Sequence, residues 1–274
     1  MPPSRPRPPK EPFDRRCPTG IAGIDSRLGG GLPYTLSMLV HGATGGGARE
    51  LVHTICANVA AMLDKPEARK TPMVTPRDLS YVTLTKPRQD ILQEMTWLGA
   101  RRDAFRNQAH FYDLSSKYFG KQDAVARWLD ADQCVHVPDV KGLVDCLAAT
   151  LEAVPKGSLI VVDSISDLAS HQQVSASEVS QFLRGLQVAT NKWESLVILL
   201  HTTGLVAPDL EREMVDATDA VLEIALEEGR GGERRYRLNW KHIRGLPDAL
   251  TDFQRVYGVL TEEGMKVVEL ERVA

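Results

Sequence analysis

Residues 42–49 read Gly42-Ala43-Thr44-Gly45-Gly46-Gly47-Ala48-Arg49. They follow an apolar run, residues 36–40, and precede a stretch with helical periodicity. Strand, glycine loop and helix in that order make a place for an anion, because backbone N–H groups at a helix N-terminus point at a bound phosphate. Gly42 and Gly47 keep the spacing of G-x-x-x-x-G-K-[ST]. In that pattern the lysine reaches the β/γ-phosphates and the hydroxyl binds magnesium. Ala48 and Arg49 hold those two places here. A lost charge-assisted contact is worth about 1.5–3 kcal/mol, a roughly 10- to 100-fold loss of affinity. Arg49 restores positive charge, but at the position that should face magnesium. Two readings stay open: a glycine turn that serves only the fold, and a weak nucleotide site.

Other residues could complete such a site. Asp163 ends a continuously apolar strand and is followed by Ser164. A carboxylate there holds magnesium through water, or hydrogen-bonds to a neighbouring loop. His201 ends a further apolar strand, where a lone histidine is more often structural. Arg230, Arg234, Arg235, Arg237, Lys241 and Arg244 form a basic stretch interleaved with Glu227, Glu228 and Glu233. That mixture reads first as a solvated face and second as a nucleic-acid contact. Cys17, Cys56, Cys134 and Cys146 lie far apart without C-x-x-C, which points to a reduced, cytoplasmic protein without a metal centre.

The elements that must position these residues follow from periodicity. Strands are expected over 35–41, 80–84, 110–114, 158–163 and 196–201, with helices over 48–63, after Pro87, over 140–153 and after Ser175. Ser175 and Glu178 have the capping-box spacing. Residues 29–33 read as a turn, and residues 115–138 as irregular apart from a short helix around Val125, Trp128 and Leu129. The pattern then changes to hairpins, 221–226 with 235–242 and 253–260 with 265–270. Alternating strands and helices followed by hairpins predict an α/β fold, a mostly parallel sheet extended by antiparallel strands. Residues 1–17 form a proline- and arginine-rich tail, expected to be disordered, and 18–274 the folded domain. Net charge is −3, so no global field points to nucleic acid. No apolar run reaches the ~18 residues of a membrane span, and the N-terminus lacks the apolar core of a signal peptide.

Residues 18–270 resemble the KaiC/RadA branch of the RecA-like P-loop ATPases. Thr19-Gly20-Ile21-Ala22-Gly23-Ile24-Asp25 and Gly30-Gly31-Leu32-Pro33 are similar to that branch's T-G-I-x-G-[LF]-D and G-G-L-P, although Thr35 replaces a glycine often found two residues after the proline. Val82-Thr83-Leu84-Thr85-Lys86-Pro87-Arg88-Gln89-Asp90-Ile91 aligns without gaps on V-T-F-E-E-T-P-Q-D-I. Asp163-Ser164 resembles the end of the Walker B strand, and Ile243-Arg244-Gly245 the later L-R-G. The resemblance implies that Thr85 and Lys86 replace the two glutamates that activate water, so hydrolysis is lost together with the phosphate-loop lysine. It implies no catalytic residue, weak ATP or ADP with magnesium at most, and His242 and Arg244 as residues facing a neighbouring subunit. The expected function is a non-hydrolysing assembly, scaffold or regulatory subunit, in a homo- or hetero-oligomer with RecA-like subunits. The alternatives are a weak ATPase that uses Arg49, and a DNA- or tRNA-binding paralogue of the recombination-mediator or Elongator-accessory kind.

Overall fold

The computed structural model describes residues 16–65, 76–120, 134–229, 232–245 and 256–268. The apolar runs become a nine-stranded sheet. Its strands are β3 (Ser37–Gly42), β4 (Asp78–Thr83), β5 (Ala109–Asp113), β6 (Ser158–Asp163), β7 (Leu196–Thr202), β8 (Ala220–Glu228), β9 (Arg234–Ile243), β10 (Val256–Thr261) and β11 (Gly264–Val268). The order across the sheet is β11-β10-β9-β8-β3-β7-β6-β4-β5. From β5 to β8 the neighbours are parallel, and from β8 to β11 they are antiparallel. The predicted parallel sheet with antiparallel extension is therefore observed.

Every residue of β6 is buried, as a strand covered on both faces requires. Alternate side chains feed two cores. Met38, Val40, Tyr81, Leu159, Val161 and Ile198 meet α2 (Ala48–Leu63) and α4 (Ala100–Gln108) on one face. Leu39, Val82, Ile160, Val162 and Leu199 meet α6 (Leu143–Ala153), α8 (Ala176–Trp193) and α9 (Pro208–Asp216) on the other. The helix after β3 therefore leaves to one face and the helices after β6 and β7 to the other. Such a divergence opens a crevice at the carboxyl ends of parallel strands, where ligands bind in open α/β sheets.

Several sequence expectations are corrected. Arg16–Cys17 is not part of a disordered tail: it forms β1 and pairs with β2, Leu32–Pro33, within what reads as a turn. A side chain at Gly31 would put Cβ 2.1 Å from the Cys17 carbonyl oxygen, so the glycine run lets this ribbon close. Residues 115–119 are helical (α5, Ser115–Phe119) rather than irregular. The helix expected after Pro87 is short: α3 (Arg88–Glu94) is followed by a separate 3-10 turn, Thr96–Leu98. Helices α4, α7 (Ile165–Ser170) and α9 do not appear in the sequence reading because each has nine residues or fewer, a shorter window than a helical period needs to stand out. The short helix around Val125, Trp128 and Leu129, Arg230, and residues 1–15 of the tail lie outside the described residues. Helix α2 and the capping box of Ser175 and Glu178 match the sequence reading.

The lead-in motif is structural. Asp25, in α1 (Ala22–Asp25), accepts bonds from the Thr19 N–H at 2.8 Å, the Thr19 hydroxyl at 2.7 Å and the Gly20 N–H at 2.9 Å. The knot docks on α2, where Asn58 donates to the Thr19 carbonyl at 3.2 Å. Gly23 lies against Val267 of β11, with no room for a Cβ. Thr19, Gly20, Gly23 and Asp25 thus fix the helix that carries Arg49.

Candidate phosphate-loop site

The loop between β3 and α2 folds as its glycines suggest. Gly45 and Gly47 take φ of +73° and +95°, conformations that glycine adopts without steric cost. The Gly46 N–H donates to the Ala43 carbonyl at 2.8 Å, which closes the loop on itself. The residue after β7 anchors the start of the loop: the Thr203 N–H donates to the Gly42 carbonyl oxygen at 3.0 Å. The loop opens on a cavity of about 210 Å3, lined by residues 42–50 with Ser164 and residues 200–202. Tyr236 of β9 lies over Gly47, so that a Cβ there would stand 2.3 Å from the ring.

The side chains around the loop form a closed network. Arg49, in the first turn of α2, reaches Asp163 at the end of β6: Nη2 to Oδ1 is 2.7 Å. The other carboxylate oxygen of Asp163 accepts the Tyr81 hydroxyl at 2.8 Å. His53, one turn after Arg49 on α2, places Nε2 3.3 Å from the Tyr81 oxygen. Glu94 of α3 takes the second arm of Arg49 at 3.3 Å and also the Lys86 ammonium. Asp163 is 2 % exposed. Burial pushes its carboxyl up, and Arg49 and the Tyr81 hydrogen bond oppose that push. Burial pushes His53 down to about 3, helped by the nearby Arg49 and Lys86 charges, so its ring is neutral.

Asp163 is therefore matched by the chain's own cation. Its two oxygens face a guanidinium and a phenol, where a cation held through water would need them. The donors are charged and neutral hydrogen-bonding groups, which fit a carboxylate better than they fit magnesium. Thr85 and Lys86 stand at the mouth of the site. The Thr85 hydroxyl lies 3.4 Å from Asp167 Oδ2, and Lys86 pairs with Glu94. Ser164 caps α7, with its hydroxyl 2.7 Å from the same Asp167 oxygen. Carboxylates have thus come to the site, but on α3 and α7 and already paired.

His201 and His41, in register on β7 and β3, stack with ring centroids 6.3 Å apart. The Ser166 hydroxyl accepts the Thr202 N–H at 2.7 Å, so its own proton points to His201 Nδ1, also at 2.7 Å. The His201 proton is then on Nε2, 3.4 Å from Glu211. His242 and Arg244 are brought to the strand-start end of the sheet, away from the loop. His242 Nε2 is 3.0 Å from the Thr218 carbonyl oxygen. Arg244 Nη1 is 2.8 Å from Asp219 Oδ1, and Oδ2 of Asp219 accepts the Ser37 N–H at 2.9 Å. In the basic stretch, Arg237 pairs with Glu227, Lys241 with Glu223, and Arg235 stacks on Tyr257.

No family model matches the chain, and no curated protein matches it. The residues that motif reading misses are Tyr81, His53, Glu94 and Asp167. Tyr81 gives one signal in advance, a hydroxyl flanked by Leu79 and Val82 in a strand whose interior is buried, where it must find a partner. His53 gives another, since it falls at i+4 from Arg49 on the same helical face. Glu94 and Asp167 sit in polar stretches that carry no such mark. Among the described residues, no helix is long and apolar enough to cross a membrane.

Proposed function

We propose that this chain is a RecA/KaiC-type domain without hydrolytic chemistry, acting as an assembly or regulatory subunit rather than as an ATPase. The observation that carries the reading is the Arg49–Asp163 pair at 2.7 Å. It puts a fixed positive charge at the carboxylate that would otherwise hold a metal. The loop still offers backbone N–H groups at a helix N-terminus, so an anion can be held there without turnover. Thr85 and Lys86 leave the mouth of the site without an unpaired base, because the nearby Glu94 and Asp167 carboxylates already accept hydrogen bonds. A geometry of this kind retains shape and interfaces and loses the step that needs an activated water.

The test is nucleotide titration by calorimetry with and without magnesium, beside a steady-state hydrolysis assay. Binding of ADP or ATP is expected to be weak and indifferent to magnesium, with no turnover. The double change Ala48→Lys with Arg49→Thr should tighten binding by roughly 10- to 100-fold and make it magnesium-dependent. Magnesium-dependent turnover by the unaltered chain, abolished by Asp163→Ala, would overturn the proposal.

A further inference from the structure

An apolar recess of about 500 Å3 lies between α6 and α8, across the sheet from α2. Its floor follows one stripe of α8. Phe182, Gly185, Ala189 and Trp193 fall at i, i+3, i+7 and i+11, a single helical face. The two aromatic residues are roughly 16 Å apart along the axis, with small residues between them, so the stripe is a trough with an aromatic wall at each end. Gly185 is informative. Glycine inside a helix costs roughly 1 kcal/mol relative to alanine. A Cβ built on Gly185 meets no heavy atom within 4 Å. Packing within the chain does not require glycine there, and the room it leaves opens outward.

The rim of the trough is acidic. Asp145 and Glu152 stand on α6 and Glu178 on α8, and among the described residues no lysine or arginine lines it. Glu178 uses Oε2 for its capping box with Ser175, which leaves Oε1 for another donor. An aromatic floor with a rim of carboxylates matches one kind of occupant, an extended segment rich in proline and arginine. Proline-rich segments favour the polyproline II conformation, which docks on aromatic-lined grooves at small entropic cost.

The chain contains such a segment. Residues 1–15 include Pro2, Pro3, Pro6, Pro8, Pro9 and Pro12, and the cations Arg5, Arg7, Lys10 and Arg15 against Glu11 and Asp14. Its point of attachment is linked to the end of α8 by a relay of hydrogen bonds. Arg16 pairs with Pro33, the next residue, Tyr34, donates to the Gly157 carbonyl, and the Gly157 N–H donates to the Trp193 carbonyl at 2.9 Å. The segment thus joins the fold on the α2 face, at the strand-start end of the sheet where α8 also ends. Fifteen residues in polyproline II span about 45 Å, whereas α8 from Glu178 to Trp193 is about 23 Å long. We propose that residues 1–15 dock in the α6–α8 trough of their own chain, prolines on Phe182 and Trp193 and cations against Asp145, Glu152 and Glu178. This proposal is independent of what the phosphate loop binds.

The test uses the full chain and a zero-length carbodiimide coupling, which joins a lysine only to a carboxylate in contact with it. Lys10 is expected to couple to Asp145, Glu152 or Glu178 within the monomer band, as located by peptide mass spectrometry. Gly185→Leu fills the trough while favouring helix, so melting temperature should hold or rise and the coupling should be lost. Arg5→Gln with Arg7→Gln leaves every residue of the described elements unchanged and should lower the coupling without moving the melting temperature. The proposal is overturned if Lys10 couples to none of the three carboxylates. It is equally overturned if Gly185→Leu leaves the yield unchanged, or if the product appears only as a dimer, which would assign the trough to a second copy.

Discussion

The Arg49 guanidinium and the Asp163 carboxylate stand 2.7 Å apart, one in the first turn of α2 and the other at the end of β6. The pair ties the glycine loop between β3 and α2 to the centre of the sheet, and its acidic member is almost wholly buried. Removing one partner of a buried pair leaves a charge without compensation, which costs about 3 kcal/mol or more. Arg49→Ala should therefore lower unfolding free energy by about 3 kcal/mol at pH 8. The penalty has a definite pH dependence. Without Arg49, burial holds the Asp163 carboxyl above its ordinary range with less opposition. A carboxyl whose folded pKa is raised binds a proton more readily in the folded state, so stability falls as pH rises from the ordinary carboxylate range through the raised value. Urea unfolding at pH 5 and pH 8 should show a larger gap between Arg49→Ala and the unaltered chain at pH 8. An equal gap at both pH values would mean that Asp163 is not the group left unpaired.

His53 should mark stability on the acid side. Burial, with the charges of Arg49 and Lys86, pushes its pKa down to about 3. The unfolded chain titrates near the ordinary histidine value of about 6.5. Between those values the unfolded state binds the extra proton, so stability rises with pH across the window and is lost as pH falls through it. One such group contributes a slope of up to about 1.4 kcal/mol per pH unit. His53→Gln keeps a donor for Tyr81 and removes the titration. Its unfolding free energy should fall less steeply between pH 6 and pH 4, by about one proton's worth of slope. His41 and His201 are also pushed down by burial, so a residual slope remains in the variant. An unchanged slope would show that His53 is not the group responsible.

The parts of this chain that were legible in sequence are those in which one residue type has one physical use. Continuous apolar runs could only be strands covered on both faces, and β6 and β7 are such strands. The glycines of the loop needed positive φ, and Gly45 and Gly47 have it. Short helices such as α4 and α9, nine residues each, fall below the window in which a period can be read, and only a few buried positions, Phe105 in one and Leu210 and Met214 in the other, hold them down. The site was half legible. Spacing set Arg49 and Asp163 at one expected site, but as a loop residue and a magnesium carboxylate, and it did not say that the two would pair directly across 114 positions. Tyr81, Glu94 and Asp167 arrive through strand order and helix placement, which are properties of the assembled sheet. Thr85 and Lys86 stood out in the sequence, whereas their partners Asp167 and Glu94 did not.

Thr35 holds a backbone conformation that suits glycine. Its φ is +69°, a left-handed conformation adopted by a β-branched residue. An L-residue there carries a steric cost of roughly 1–2 kcal/mol. The Thr35 hydroxyl is also buried without a hydrogen-bond partner, a further cost of about 1 kcal/mol or more. Glycine removes both and adds roughly 0.5–1 kcal/mol of chain entropy to the unfolded state. The balance favours Thr35→Gly by about 1 kcal/mol, which for a domain of this size raises the melting temperature by roughly 2–4 °C. Thr35→Ala separates the two contributions, because it removes the hydroxyl and keeps the side-chain clash. Calorimetric melting should rank the three as glycine above alanine above threonine. A glycine variant less stable than the unaltered chain would mean that the threonine side chain makes a packing contribution larger than the strain of its backbone.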